Sequence, residues 1–202
     1  MELLLIRHAL PVRQENTDGP ADPGLSAAGV EQADHLARYL STEKLHAVYS
    51  SPMLRAVQTA APLAAVQGVQ MQLEDGVAEF DRHATSYVPF EELRKANDPR
   101  WRQMVLEVPA DATEFRATVV SAIEAVITRH TGDRVAVVCH AGVIGAYLAG
   151  VLGIELVGRS FFSPNYTSIH RVMASRRGGR TLYTLNETAH LRGTGLPTGL
   201  YD

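Results

Sequence analysis

Leu3-Leu4-Leu5-Ile6 is an unbroken apolar run set between Glu2 and Arg7. A short run of this kind fits a strand buried on both faces, and such strands belong to parallel sheets covered by helices on either side. Val135-Ala136-Val137-Val138-Cys139 repeats the pattern far along the chain. The first run ends on Arg7-His8 and the second on His140. Ligands of open α/β sheets bind beyond the carboxyl ends of the strands. A guanidinium and two imidazoles at such ends are therefore candidates for holding an anionic group. Taken singly, Arg7 reads more simply as a strand cap and His8 as a loop residue. Two buried strands that each deliver a histidine are harder to dismiss.

Between these runs the chain alternates strand and helix signals. Residues 10–24 form a long Pro-, Asp- and Gly-rich connection, a type that is often functional. Arg13 lies in it, either as a solvated surface arginine or within reach of a bound anion. Ser26 is set to cap a helix whose apolar face is Val30, Ala33, Leu36, Ala37 and Leu40. His46-Ala47-Val48-Tyr49-Ser50 predicts a strand, and Ser51-Pro52 predicts the start of a helix carrying Arg55 in its first turn. A helix N-terminus favours anions, and Arg55 adds a full charge there. Pro62 is expected to kink or divide this helix. Residues 69–73 read as a third strand.

Val77-Ala78-Glu79-Phe80-Asp81-Arg82-His83 follows, mixing apolar and ionisable residues where a strand-to-helix loop should lie. Residues 84–109 read as an insertion covering one end of the sheet, with short helices around Phe90-Glu91-Glu92-Leu93 and Trp101-Arg102-Gln103-Met104. Asp111-Ala112-Thr113-Glu114 resembles a capping box. It opens a helix with Phe115, Val119, Ala122, Ile123, Val126 and Ile127 on one face. His130 in its last turn suits the helix dipole. After His140, Ala141-Gly142 allows a tight turn into a helix from Val143 to about Leu152. A hairpin is expected over residues 168–185, with a basic tip at Arg176-Arg177-Gly178-Gly179-Arg180. The tail from Arg192 is rich in Gly, Pro and Thr and is expected to be loosely held.

With 202 residues, 46% hydrophobic and 20% charged, the chain can bury a substantial core and carries no mark of disorder. One domain spanning 1–202 is expected. A net charge of −3 argues against a general nucleic-acid binder. The basic hairpin tip is short and lacks aromatic neighbours, so it reads as solvated. Cys139 is the only cysteine, which excludes an intrachain disulfide and favours a reducing compartment. It reads as a buried, inert thiol facing away from the residue that follows it. The first apolar run is too short for a signal segment, and no run reaches membrane-spanning length. A soluble, cytoplasmic protein is the expectation, with no membrane or nucleic-acid partner and no sequence mark of oligomeric state.

Three stretches carry a resemblance. Leu5-Ile6-Arg7-His8-Ala9, Ser50-Ser51-Pro52-Met53-Leu54-Arg55-Ala56-Val57-Gln58-Thr59-Ala60 and Val138-Cys139-His140-Ala141-Gly142 resemble, in that order, motifs of the phosphoglycerate-mutase-like histidine phosphatase superfamily. Asn165-Tyr166-Thr167-Ser168 and Leu185-Asn186-Glu187-Thr188-Ala189-His190-Leu191 resemble the family's late segments. The resemblance implies a three-layer α/β/α sandwich with a mostly parallel central sheet and one antiparallel strand. It implies that His8 is a nucleophile that becomes phosphohistidine. Arg7, Arg55 and His140 would clamp the phosphate, and Glu79 would be the proton donor. It implies no metal or cofactor, and the sequence lacks a compact ligand cluster of metal-site spacing.

There are departures. Ala9 stands where the family has glycine, Gln14 where phosphoglycerate mutases carry asparagine, and Phe80-Asp81-Arg82-His83 replaces the usual run after the acid. Asp81 is therefore the alternative acid, and Arg82 and His83 are either surface residues or contacts for a second anionic group. The implied function is hydrolysis of a small phosphomonoester. The alternatives are a phosphomutase and a catalytically weak phospho-ligand binding protein.

Overall fold

The computed structural model describes residues 1–102, 111–155 and 162–199. Its centre is a six-stranded sheet in the order β4-β3-β6-β1-β7-β8. The strands are β1 (Glu2–Arg7), β3 (Ala47–Ser50), β4 (Met71–Leu73), β6 (Arg134–Cys139), β7 (Ile169–Ala174) and β8 (Arg180–Glu187). β4, β3, β6 and β1 are mutually parallel, and β7 runs antiparallel to both of its neighbours. The helices of the described residues include α1 (Ala27–Leu40), α2 (Leu54–Gln67), α3 (Phe90–Lys95), α4 (Ala112–Arg129) and α5 (Ala141–Leu152).

Alternation along each strand splits the apolar runs into two cores. Leu3, Leu5, Val135 and Val137 pack with Val119, Ile123, Ile144 and Leu148 from α4 and α5. Leu4, Ile6, Ala136 and Val138 pack with Leu36, Leu40, Ala60 and Leu63 from α1 and α2. This is the α/β/α sandwich with a mostly parallel sheet.

Several local expectations are corrected. α2 begins at Leu54 with Met53 as its cap residue, not at Ser51-Pro52. The Ser51 N–H donates to Val138 O at 2.9 Å, which continues the strand ladder and holds Ser51 outside the helix. Pro62 lies inside α2 and does not divide it, and burial of Ala60, Leu63 and Ala64 on the same helix offsets the lost N–H. Val30 is 51% exposed, because the buried face of α1 turns towards Gln32. That amide accepts from Leu10 N and donates to Pro197 O.

Asp111 makes no side-chain cap. α5 starts at Ala141, with His140 as cap residue. The tail is tied down at Thr198, whose O accepts from Tyr166 N at 2.9 Å. Gln103 and Met104, in the second short helix expected of the insertion, lie outside the described residues.

Loops from both halves meet over the carboxyl edge of the sheet. β2 (Gln14–Glu15) pairs antiparallel with β5 (Ser86–Tyr87). The long connection and the start of the insertion are thereby tied together, with further bonds from Asn16 N to Thr85 O and from Ala21 N to Ala84 O.

Candidate active site

Parallel register brings the ends of β3, β6 and β1 to one edge: Ser50 pairs with Val138, and Arg7 with Cys139. The next residues, Ser51, His140 and His8, therefore converge. The His8 and His140 ring centroids are 5.1 Å apart. His8 is 3% exposed, and its Nδ1 lies 2.8 Å from Ala9 O. A carbonyl only accepts, so Nδ1 carries the hydrogen and Nε2 presents its lone pair. Burial, then the charges of Arg55 and Arg7, push the His8 pKa well below the usual histidine range, which keeps the ring neutral. His140 is depressed in the same way by burial and by Arg55, His8 and Arg7. Its Nε2 lies 2.8 Å from Ser51 Oγ.

Each of the two arginines packs on an aromatic ring and donates to an oxygen. Arg7 donates from Nη1 to Pro164 O at 2.6 Å, and its Cζ lies 4.0 Å from the centre of the Tyr166 ring. Tyr166 in turn donates to Glu91 of α3 at 2.9 Å. Arg55, 1% exposed, donates from Nη2 to Asp81 Oδ1 at 2.7 Å and lies beneath the Tyr87 ring at 4.6 Å. Thr59 joins the first two motifs: its Oγ1 accepts from Ala9 N and donates to Arg55 O.

Buried side-chain nitrogens without a hydrogen-bond partner number six among the described residues, and four of them are Arg7 Nε, Arg55 Nε, Arg55 Nη1 and His140 Nδ1. Unmade buried donors are costly, and their concentration in these three side chains marks a place built to receive acceptors. The set is cationic and furnished with planar forks, which suits a phosphate.

Glu79 stands beside this cluster. Its Oε2 accepts from Gly142 N at 2.8 Å and its Oε1 from Phe80 N at 3.0 Å. It thus caps the N-terminus of α5, two residues beyond His140. A Cβ on Gly142 would overlap the carboxylate, so a side chain there would displace Glu79 from this position. Burial, then the charge of Asp81, raise the Glu79 pKa, against the two N–H donors and Arg55. Asp81, the alternative acid, is taken up by Arg55.

Arg13 and Arg82 are engaged by carboxylates outside the cluster, Arg13 by Glu15 and Arg82 by Asp75. Cys139 is buried, and burial pushes its thiol pKa far up. Among the described residues, no group of three or more His, Cys, Asp or Glu side chains is placed to hold a metal ion, and no helix is long and apolar enough to cross a membrane.

Thr59 and Tyr166 lie in the family-like stretches and Tyr87 outside them, and sequence reasoning gave none of the three a role. Their positions relative to Arg55 and Arg7 come from tertiary packing. Ser51 was legible only as a helix cap.

Residues 3–188 match the family model described as histidine phosphatase superfamily (branch 1). Phosphoserine phosphatase 1 of Hydrogenobacter thermophilus is 33% identical, over 95% of this chain and 94% of its own. Among solved structures, Entamoeba histolytica phosphoserine phosphatase in complex with 3-phosphoglyceric acid superposes with a TM-score of 0.74 at 22% identity, covering 94% of this chain and 98% of that one. Mycobacterial glucosyl-3-phosphoglycerate phosphatase, in a complex with VO3, gives 0.71 at 18%, covering 93% and 99%. These two likenesses speak to the fold.

Proposed function

Since the chain belongs to the histidine phosphatase superfamily, branch 1, we propose that it hydrolyses a small phosphomonoester through a phosphohistidine formed on His8. The observation that carries this reading is the hydrogen bond from His8 Nδ1 to Ala9 O, which leaves the Nε2 lone pair free beside the unpaired donors of Arg7, Arg55 and His140. Phosphoryl transfer asks mainly for in-line positioning and charge stabilisation, and those donors supply both.

In the first half-reaction the Nε2 lone pair attacks phosphorus, and the bond from phosphorus to the leaving oxygen breaks. Glu79, protonated, gives its proton to that oxygen. The raised pKa of Glu79 favours this role. Arg7 Nε, Arg55 Nε and Nη1, and His140 Nδ1 receive the phosphoryl oxygens. For Nδ1 of His140 to donate, the Ser51 hydroxyl gives its hydrogen to Nε2, as their 2.8 Å separation allows. In the second half-reaction the Glu79 carboxylate takes a proton from water, water oxygen attacks phosphorus, and the bond to His8 breaks, releasing phosphate.

The domain is read as one unit over 1–202, with residues 84–109 as the cover of the site. The relatives named above are phosphatases, which favours hydrolysis over the mutase alternative. Phosphoserine is the first substrate to test, on the strength of the 33% identical relative. Arg13 or Arg82 would have to leave its carboxylate to meet a second anionic group of the substrate.

The test is a panel of phosphomonoesters, phosphoserine, 3-phosphoglycerate and p-nitrophenyl phosphate included, assayed in EDTA with wild type, His8→Ala and Glu79→Gln. Turnover in EDTA that disappears in His8→Ala supports the reading. Turnover abolished by EDTA, or retained in His8→Ala, contradicts it.

A further inference from the structure

We propose that Asp81 is the positioning residue of this site: its carboxylate holds one edge of the Arg55 guanidinium so that the other edge faces phosphate, and it sets a negative charge beside Glu79 on the same turn. The inference rests on the reading of Glu79 and Arg55 given above and assigns a role to a residue that does not itself meet the substrate.

Three observations carry it. The Asp81 carboxylate meets Arg55 through Nη2, at 2.7 Å, and leaves the two remaining nitrogens, Nε and Nη1, buried and unpartnered. The Tyr87 ring, 4.6 Å from Cζ, covers the guanidinium face. A planar fork fixed at one edge and on one face has a single orientation, so the free edge is aimed before any ligand arrives. Arg55 is 1% exposed, and a buried guanidinium without a counter-charge is strongly unfavourable. Asp81 supplies that charge through Nη2, away from the edge formed by Nε and Nη1.

The second half of the role follows from where Asp81 sits. It stands two residues from Glu79, on the same turn (Phe80–His83), for which Glu79 is the cap residue. Among the described residues, the charged and titratable groups near Glu79 include Asp81, Arg82 and His83 on that turn, Arg55 from α2 and Cys139 from β6. Arg82 is turned to Asp75. α5 contributes the Gly142 N–H, and α4 contributes the Phe115 ring against Phe80. Asp81 is thus the negative charge of this set that acts on Glu79, opposing Arg55. Like charge favours the protonated carboxyl, the form a proton donor needs.

The experiment has two readouts that do not depend on turnover. The Glu79 carboxyl is titrated by carbon-13 NMR in wild type and Asp81→Asn, with Glu79→Gln to assign the resonance. Inorganic phosphate binding is measured calorimetrically in wild type, Asp81→Asn and Asp81→Ala. The Glu79 midpoint is expected to fall in Asp81→Asn, as loss of a neighbouring like charge requires. Both variants lack the charge, but the asparagine oxygen still accepts from Nη2. Their difference therefore reads geometry alone, and phosphate is expected to bind about 10-fold more weakly to Asp81→Ala than to Asp81→Asn. An unmoved Glu79 midpoint, or equal phosphate affinity in the two variants, overturns the proposal. Turnover retained in His8→Ala would sink the phosphohistidine reading instead, without touching either readout.

Discussion

At the residue scale the chemistry turns on protonation states set by surroundings. His8 is neutral because it is buried beside two guanidiniums, and one hydrogen bond fixes which nitrogen is free. A nucleophile must be deprotonated, so a depressed pKa extends its working range to lower pH. The acid limb of kcat/KM is therefore expected below the ordinary histidine value of about 6.5, once the substrate's own phosphate titration is subtracted. An acid limb at or above that value would show that His8 is not held neutral in the free protein. Glu79 is displaced in the opposite direction, and a proton donor fails as pH rises through its pKa. Glu79→Gln keeps the shape and removes the proton. It is expected to lower kcat by about 10²–10⁴-fold and to flatten the alkaline limb. A kcat within a factor of two or three of wild type would remove Glu79 from the mechanism.

At the scale of elements, two contacts join segments that are distant in the chain, and each can be tested. Gly142 opens α5 against the Glu79 carboxylate, and a methyl group there would push the acid away. Gly142→Ala is expected to lower kcat by about 10-fold or more, by displacement of the carboxyl proposed as proton donor, while far-UV circular dichroism stays that of the wild type. Thr59 Oγ1 is shared by Ala9 N and Arg55 O, so it fixes the loop after β1 to the first turns of α2. Thr59→Val preserves volume but orphans a buried N–H. A loss of about 1–3 kcal/mol in stability is expected from denaturant unfolding, with weaker phosphate binding alongside.

These contacts also show what could be read beforehand. β1, β6 and α1 were legible because burial on two faces, or on one helical face, leaves a periodic trace. The start of α2 was misread because Ser51 and Pro52 fit a helix cap locally, while the strand ladder and His140 claimed Ser51. Asp81 was legible only as a spare carboxyl beside Glu79. Its pairing with Arg55 spans 26 positions, and no local pattern records it.

At the scale of the whole molecule, the sheet separates two charged ends. The carboxyl edge holds the candidate site. At the opposite edge Arg171 bonds to Glu2, Glu43 and Glu187 beside a groove of about 500 Å³. Besides the site pair, the fold encloses His170 and His190, whose pKa values burial lowers to about 3 and about 4. Below about pH 6.5 the unfolded chain binds protons at these positions and the folded chain does not. Stability is therefore complete above that pH and is lost as pH falls towards the folded values. The slope is about 1.4 kcal/mol per pH unit for each such histidine. Urea unfolding at pH 7 and pH 5 is expected to show this fall, and His170→Gln is expected to reduce it. A flat profile would mean that these histidines are not buried neutral.

The central claim is that strand ends far apart in the chain enclose one phosphate and pass it through His8. It is tested most directly by quenching the protein in base during turnover of phosphoserine or p-nitrophenyl phosphate and mapping the phosphoryl group by peptide mass spectrometry. An acid-labile phosphoryl group on His8 in the wild type, accumulating in Glu79→Gln and missing in His8→Ala, is the predicted result. Turnover with no phosphoryl group on His8, or with one on another residue, would contradict it.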